Sequence, residues 1–233
     1  MFFESRSLLN RKDITLAFLL LLPLSSQAST VVSMQTSLGT IEIELFEQSA
    51  PKTVANFLSY VNSGAYTDSF IHRSMPEFVI QGGGFTWDTL NNSGYYNIET
   101  QSPVANEFGA SNVRGTIAMA KLGGDPDSAT SQWFFNLADN SANLDFQNGG
   151  FTVFGQVIGD GMQIVDQIAR LATVNAGGAF SNLPLLDLNG GYNADNLVMI
   201  DRVQVVPLPS AAWLFGSLLF AGMSSRKIRR RTL

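Results

Sequence analysis

One arginine sits inside an otherwise apolar and glycine-rich run, Phe70 to Phe85, which reads FIHRSMPEFVIQGGGF. A guanidinium in such surroundings is costly to bury unless something compensates it, so Arg73 is the first residue whose presence asks for a chemical reason. If Phe78–Gln81 is a strand, Phe78 and Ile80 share one face and Val79 and Gln81 the other. Strict alternation therefore does not put Phe78 and Gln81 in one pocket; a twist or bulge is required. His72 is the single histidine of the chain, which argues against a histidine-built metal site, and the absence of cysteine excludes thiolate sites and disulfides. Gly82-Gly83-Gly84 lacks the spacing of a nucleotide-binding loop and is expected to be a turn. Asp125-Pro126-Asp127-Ser128 lacks the spaced ligands of a calcium loop and reads as a solvated loop.

The elements that must position these residues are short. Ile41-Glu42-Ile43-Glu44-Leu45 alternates apolar and acidic residues as a half-buried strand does, and Leu38-Gly39 before it marks a hairpin turn. Further strands are expected at Phe78–Gln81, Thr116–Ala120, Trp133–Leu137, Thr152–Val157 and Leu197–Val206, separated by glycine-rich punctuation. That pattern suggests an antiparallel sandwich or barrel. Two helices are expected. Ser49 is placed as an N-cap before Pro51, with Val54, Phe57, Leu58 and Val61 on one face and Gly64 as the stop. Asp160 and Gln163 form a capping-box pattern ahead of Ile164, Val165, Ile168 and Leu171. Both apolar stripes read as core packing.

Of the 233 residues, the two ends are set apart from this domain. Arg6, Arg11 and Lys12 precede an apolar run from Ile14 to Leu24 and then Ser26-Gln27-Ala28, the pattern of a secretory signal peptide over residues 1–28. At the other end, over 207–233, Pro207-Leu208-Pro209 leads into the apolar run Ala211 to Met223 and the basic cluster Arg226 to Arg231. A run of thirteen residues rises about 20 Å as a helix, short of a hydrocarbon core of about 30 Å, and the basic cluster is expected to stay in the cytoplasm. Between the ends, residues 29–206 carry six basic and seventeen acidic side chains, a net charge near −11. So acidic a domain repels phosphate backbones, which argues against a nucleic-acid partner.

The run FxHRxxPxFxxQGG resembles the cyclophilin signature. Gly115-Thr-Ile-Ala-Met-Ala120, Ser131-Gln-Trp-Phe-Phe135, Asn143-Leu-Asp145 and Phe151-Thr-Val-Phe-Gly155 follow in that family's order. The resemblance implies an eight-stranded antiparallel β-barrel capped by two α-helices, and the activity of a peptidyl-prolyl cis-trans isomerase. It implies Arg73 as the catalytic residue and Gln81 as the holder of its guanidinium, with Phe78 and His72 beside them. Phe78, Phe134 and Leu144 would form the apolar socket for the substrate proline. Val79, Ala120, Gln132, Asn143 and Phe151 would line the binding site, and backbone groups near Lys121 would grip the peptide. The last residues resemble a PEP-CTERM sorting signal, with Pro-Leu-Pro in place of Pro-Glu-Pro. That resemblance implies an exported protein held in the inner membrane through its C-terminal segment and processed by an exosortase.

The implied chemistry follows from the amide itself. Rotation about the peptide bond is resisted by about 18–20 kcal/mol because the nitrogen lone pair is delocalised into the carbonyl. At the twisted transition state that lone pair is free to accept a hydrogen bond, so a donor such as Arg73 binds the twisted form more strongly than the planar one. No cofactor or metal is required. Because no proton is transferred, His72 reads as a structural hydrogen-bonding residue rather than an acid or base. Three positions depart from the family pattern: Asn143 where well-known eukaryotic members carry Trp, Phe151 where His or Tyr is usual, and Glu77 where Gly is common. A non-enzymatic peptide-binding or surface-matrix protein is the alternative, separated by the presence of Arg73 with its pocket.

Overall fold

The computed structural model describes residues 29–207, so both processing segments expected above, Pro207 apart, lie outside the described residues. Among the described residues no helix is long and apolar enough to cross a membrane. The strands are β1 (Val31–Thr36), β2 (Gly39–Leu45), β3 (Ser69–Phe70), β4 (Arg73–Met75), β5 (Val79–Gly82), β6 (Phe85–Trp87), β7 (Tyr95–Asn97), β8 (Thr116–Met119), β9 (Trp133–Asn136), β10 (Val153–Ile158), β11 (Thr173–Val174), β12 (Leu183–Pro184) and β13 (Met199–Val205). The helices are α1 (Pro51–Ser63), the short α2 (Ser141–Leu144) and α3 (Gly161–Ala169).

Eleven strands form one antiparallel sheet in the order β4-β5-β9-β8-β10-β2-β1-β13-β3-β6-β7, and β11 pairs separately with β12. The expected eight-stranded barrel is present with two of its staves broken. β3 and β4 are one stave interrupted at Ile71-His72, and β5 and β6 are another interrupted at Gly83-Gly84. The first of these joins the ends of the sheet. Ile71 N–H donates to Val198 O at 3.0 Å and His72 N–H to Gln81 O at 3.1 Å, so consecutive residues bond to opposite neighbours. With β7 as an outer hairpin strand, the ring then contains β1, β2, β3–β4, β5–β6, β8, β9, β10 and β13.

Gly82-Gly83-Gly84 is not the turn expected of it. A Cβ at Gly82 would lie 2.7 Å from the Trp133 ring, and one at Gly83 would lie 2.6 Å from Ser131 O. The triplet lets the broken stave press against the chain beneath it, and Gly83 also needs its φ of 76°.

The alternating apolar residues of β1, β2, β8 and β9 turn Val32, Met34, Ile41, Ile43, Ile117, Trp133 and Phe135 into a common core. Val54, Phe57 and Val61 of α1 and Val165 and Ile168 of α3 are buried in the same core, while Leu58, Ile164 and Leu171 pack at its margin. Gly64 ends α1 in the left-handed conformation as expected. Ser49 does not cap it. The N-cap is Ala50, without a side-chain hydrogen bond, and the free N–H groups of Lys52 and Thr53 donate instead to Glu107 at 3.2 and 2.8 Å. A carboxylate distant in sequence thus satisfies the helix end and complements its dipole. The α3 capping box is also modified: Gln163 Nε2 donates to Asp160 Oδ1 at 3.0 Å, side chain to side chain, with no side-chain cap to the backbone.

Candidate active site

Arg73 opens β4 directly opposite Gln81 on β5. Its Nη1 donates to Gln81 Oε1 at 3.2 Å, and Gln81 Nε2 donates in turn to Gln132 Oε1 at 2.9 Å. Arg73 Nη2 rests on Met75 Sδ at 2.6 Å. The guanidinium has five N–H donors, so these contacts leave some unspent. Partial burial lowers its pKa, but an arginine remains protonated. Gln132 also packs against the open α-carbon of Gly84, where a Cβ would come within 3.0 Å of Gln132 Cδ.

Beside this chain of amides lies a separate apolar cluster. Val79, Ala118, Phe134, Leu144 and Val153 are buried together, and Phe78, Ala120 and Phe151 pack around them half-exposed. The Phe134 and Phe151 rings meet edge to face at 5.7 Å. The structure therefore brings Phe78, Val79, Ala120, Phe134, Leu144 and Phe151 into one apolar group. The open question of strand alternation at Phe78 has a local answer. Phe78 lies outside β5, at the exit of a turn in which its N–H donates to Met75 O at 3.1 Å and Glu77 takes a φ of 60°. That turn frees Phe78 to share a cluster with its neighbour Val79.

Three buried asparagines hold this group together, and sequence reading overlooked them as functional residues. Asn140 Nδ2 donates to Phe78 O at 2.9 Å and to Asn136 Oδ1 at 2.7 Å. Asn136 Nδ2 reaches Thr116 Oγ1 at 2.9 Å and Asn112 Oδ1 at 3.3 Å. Asn112 Nδ2 donates to Asp145 Oδ1 at 2.9 Å and Phe151 O at 3.0 Å. The network ties the turn before β5 to α2 and to the segment entering β10, the three places that present Phe78, Leu144 and Phe151. Its one legible signal is Asn136, a polar residue inside the apolar run Trp133 to Leu137. Asp145 is pushed up by burial, yet the hydrogen bonds from Asn112 outweigh this and hold its carboxyl below the usual range.

Other expected residues lie differently. His72 is not brought to the guanidinium side. Consecutive residues of an extended chain face opposite ways, and the His72 ring packs edge-on against Phe85 at 5.0 Å and Phe180 at 6.4 Å. It is 1 % exposed with Nδ1 unpartnered, and burial followed by the neighbouring Arg73 charge pushes its pKa down to about 4. A neutral, buried imidazole of this kind does not bear the hydrogen-bonding role read from the sequence. Asn143 is exposed on α2 and joined to Gln147 Nε2, outside the apolar cluster. The Lys121 ammonium is engaged by Asn106 Oδ1, Asn148 O and Gly150 O at 3.2, 2.9 and 2.6 Å, and lies 4.9 Å above the Phe151 ring. Burial lowers its pKa, opposed by Asp127 and Asp125. Among the described residues, no cluster of three or more histidine and acidic side chains could hold a metal ion.

Residues 31–188 match the family described as cyclophilin type peptidyl-prolyl cis-trans isomerase/CLD. The chain is 44 % identical over 168 residues to a peptidyl-prolyl cis-trans isomerase of Acinetobacter baylyi, spanning 71 % of this chain and 85 % of that one. It is 44 % identical over 164 residues to peptidyl-prolyl cis-trans isomerase A of Dickeya dadantii, spanning 69 % and 81 %. It is also similar to peptidyl-prolyl cis-trans isomerase B of Escherichia coli, at 40 % over 153 residues, covering 63 % and 88 %. The fold is that of a Cryptosporidium parvum cyclophilin type isomerase, with a TM-score of 0.57 at 22 % identity, over 78 % of this chain and all of that one. An arginine held by one amide that a second amide braces, beside an apolar cluster, on a barrel of this topology and with relatives of this identity, makes the chain a member of the cyclophilin-type peptidyl-prolyl cis-trans isomerase family.

Proposed function

We propose that Arg73 carries the isomerase reaction by donating to the nitrogen of the twisted X-Pro amide, while the proline ring sits among Phe78, Phe134 and Leu144. The observation that supports this reading most directly is the Arg73–Gln81–Gln132 relay. It fixes a half-buried donor beside an apolar cluster and spends little of its donor capacity. Holding the guanidinium in place before substrate arrives avoids reorganisation during the reaction, and each 1.36 kcal/mol of preference for the twisted amide is worth about tenfold in rate. Ala120 N–H is taken by Gln132 O and Leu122 N–H by Ser128 Oγ, which leaves the main chain at Lys121 to align the substrate peptide. The Lys121 side chain serves the protein itself, by tying down residues 148–150.

In this reading the substrates are proline-containing polypeptides outside the cytoplasm. The leader pattern before Ser29 supports export, and the apolar run with its basic cluster after Pro207 supports attachment to the inner membrane with exosortase processing. Uncatalysed X-Pro isomerisation takes tens to hundreds of seconds, long enough to delay the folding of exported chains. Exchange spectroscopy on an X-Pro peptide tests the chemistry: the wild-type chain should accelerate exchange without added metal or nucleotide, and the Arg73→Ala chain should not. Equal acceleration by both would remove Arg73 from the reaction. Fractionation of cells expressing a chain tagged after Ser29 tests the location, and full-length uncut protein in the soluble cytoplasm would overturn it.

A further inference from the structure

A concavity of about 550 Å³ opens beside the outer hairpin β6–β7 and shares no residue with the Phe78–Phe134–Leu144 cluster. Phe70, Phe85, Trp87, Tyr95, Phe180 and Tyr192 wall it, and none of its lining residues is charged. In a domain with a net charge near −11 this is a neutral aromatic enclave. Tyr95 meets Phe180 edge to face and Phe85 meets it obliquely, each at 4.8 Å, while Phe85 stacks on Phe70 at 6.2 Å. Such a box accepts an uncharged aromatic or aliphatic group and offers an anion no charged partner.

An independent feature says how that group would be delivered. β7 is the last strand of the sheet, so its outer edge has no partner strand among the described residues. Asp88 N–H donates to Gly94 O and Ile98 N–H to Gly84 O. With the register Trp87↔Tyr95, Thr86↔Tyr96, Phe85↔Asn97, the bonded pairs alternate through Thr86 and Tyr96. The main-chain groups of Tyr95 and Asn97 therefore face away from β6, and the same two residues line the cavity. The strand reads Tyr-Tyr-Asn, with no charge, proline or bulge of the kind that protects exposed edges.

We propose that the β7 edge and this cavity form a second polypeptide-binding site. An extended, uncharged segment of a client adds to the sheet as a further strand, pairing with Tyr95 and Asn97, and seats one aromatic side chain among Phe85, Tyr95 and Phe180. Side-chain burial gives the affinity its apolar part and main-chain pairing gives it direction. The site requires no proline, so it recognises the unfolded state of a client rather than its X-Pro bond. Its use in holding clients for isomerisation rests on the function proposed above; the binding itself does not.

The test titrates the isotope-labelled full chain with a short, uncharged, proline-free peptide bearing one phenylalanine, and with the same peptide N-methylated at alternate residues. Amide shifts are expected at Tyr95, Asn97, Gly177 and Phe180, with affinity reduced about tenfold or more by N-methylation. Ala179→Trp, which places an indole at the cavity wall, should abolish binding and leave X-Pro exchange unchanged. Shifts confined to Phe78, Phe134 and Leu144, equal binding of the N-methylated peptide, or no binding to the wild type would each overturn the site. The N-methyl comparison uses only the wild-type chain, so it decides the matter even if the Trp variant fails to fold. Loss of exchange in Arg73→Ala, with peptide binding intact, would separate this site from the catalytic one.

Discussion

Arg73 and Gln81 are partners twice, once as opposed residues of the β4–β5 ladder and again through the 3.2 Å bond from Nη1 to Oε1. Both ends of the Gln81 amide are in use, since its Nε2 donates to Gln132. The amide therefore has one satisfied orientation, and that orientation fixes the guanidinium. Replacing Arg73 with Ala should lower kcat/KM for X-Pro exchange by about 10²–10³-fold, the usual cost of removing a preorganised donor. Arg73→Lys should recover little, because an ammonium lacks the planar fork. Gln81→Leu should cost about tenfold while leaving thermal stability nearly unchanged. A Gln81 variant with wild-type kinetics would show that the relay does not position Arg73.

Asn136 predicts a different phenotype. It is fully buried and its amide bridges Asn112, Thr116 and Asn140. Asn136→Leu strands several buried polar groups at once and should destabilise the fold by about 2–3 kcal/mol in urea titrations. Because the network also fixes Phe78 O, KM should rise more than kcat falls. Unchanged stability would mean that the network can re-form without its centre.

Glu77 holds a φ of 60°, a conformation that costs a non-glycine residue about 1–2 kcal/mol. Part of that is returned by the stiffer unfolded chain, so Glu77→Gly should raise stability by about 0.5–1 kcal/mol. Glu77→Asn, which also tolerates the left-handed region, separates relief of the backbone from removal of the carboxylate. If neither variant stabilises in denaturant melts, the turn at Pro76–Glu77 is relaxed.

The buried His72 makes stability depend on pH. Its imidazole is held down to about 4, while in the unfolded chain it titrates near 6.5. Above that value both states are neutral and the full stability is present. As pH falls from about 6.5 towards 4, the unfolded chain takes up a proton that the folded chain refuses, and stability declines by an amount on the order of 3 kcal/mol. Below about 4 this group adds no further slope. Urea midpoints for wild type and His72→Phe at pH 7 and pH 4.5 measure the effect, with a smaller decline expected in the variant. Equal declines would place the imidazole in a more polar site.

The elements that sequence periodicity could report were the ones with one buried face. Alternation from Ile41 to Leu45 marks β2, and the three- and four-residue spacing of Val54, Phe57 and Val61 marks the buried side of α1. What escaped it depends on partners distant in the chain. Ser49 has the chemistry of a cap, but Glu107 reaches the helix end first. The glycine triplet has the composition of a turn, but Trp133 and Ser131 require its bareness. The resemblance to cyclophilins names residues that the structure gathers into one apolar cluster, yet no spacing rule announces that Asn112, Asn136 and Asn140 meet. The resemblance also carries His72 into the site with Arg73, but neighbours along an extended chain face opposite ways, and the His72 ring packs against Phe85 and Phe180.

The broken stave of β3 and β4 gives folding and activity a common last step. Ser69 and Phe70 bond to β13, Arg73 to Met75 bond to β5, and the two residues between them close the ring. A chain whose seam is still open lacks the Ile71–Val198 bond that anchors the segment leading into the arginine's strand. Exchange activity should therefore return late in refolding, after native secondary structure has been recovered by circular dichroism. The single bond from Ile71 to Val198 would thus tie the arrival of activity to the closing of the barrel.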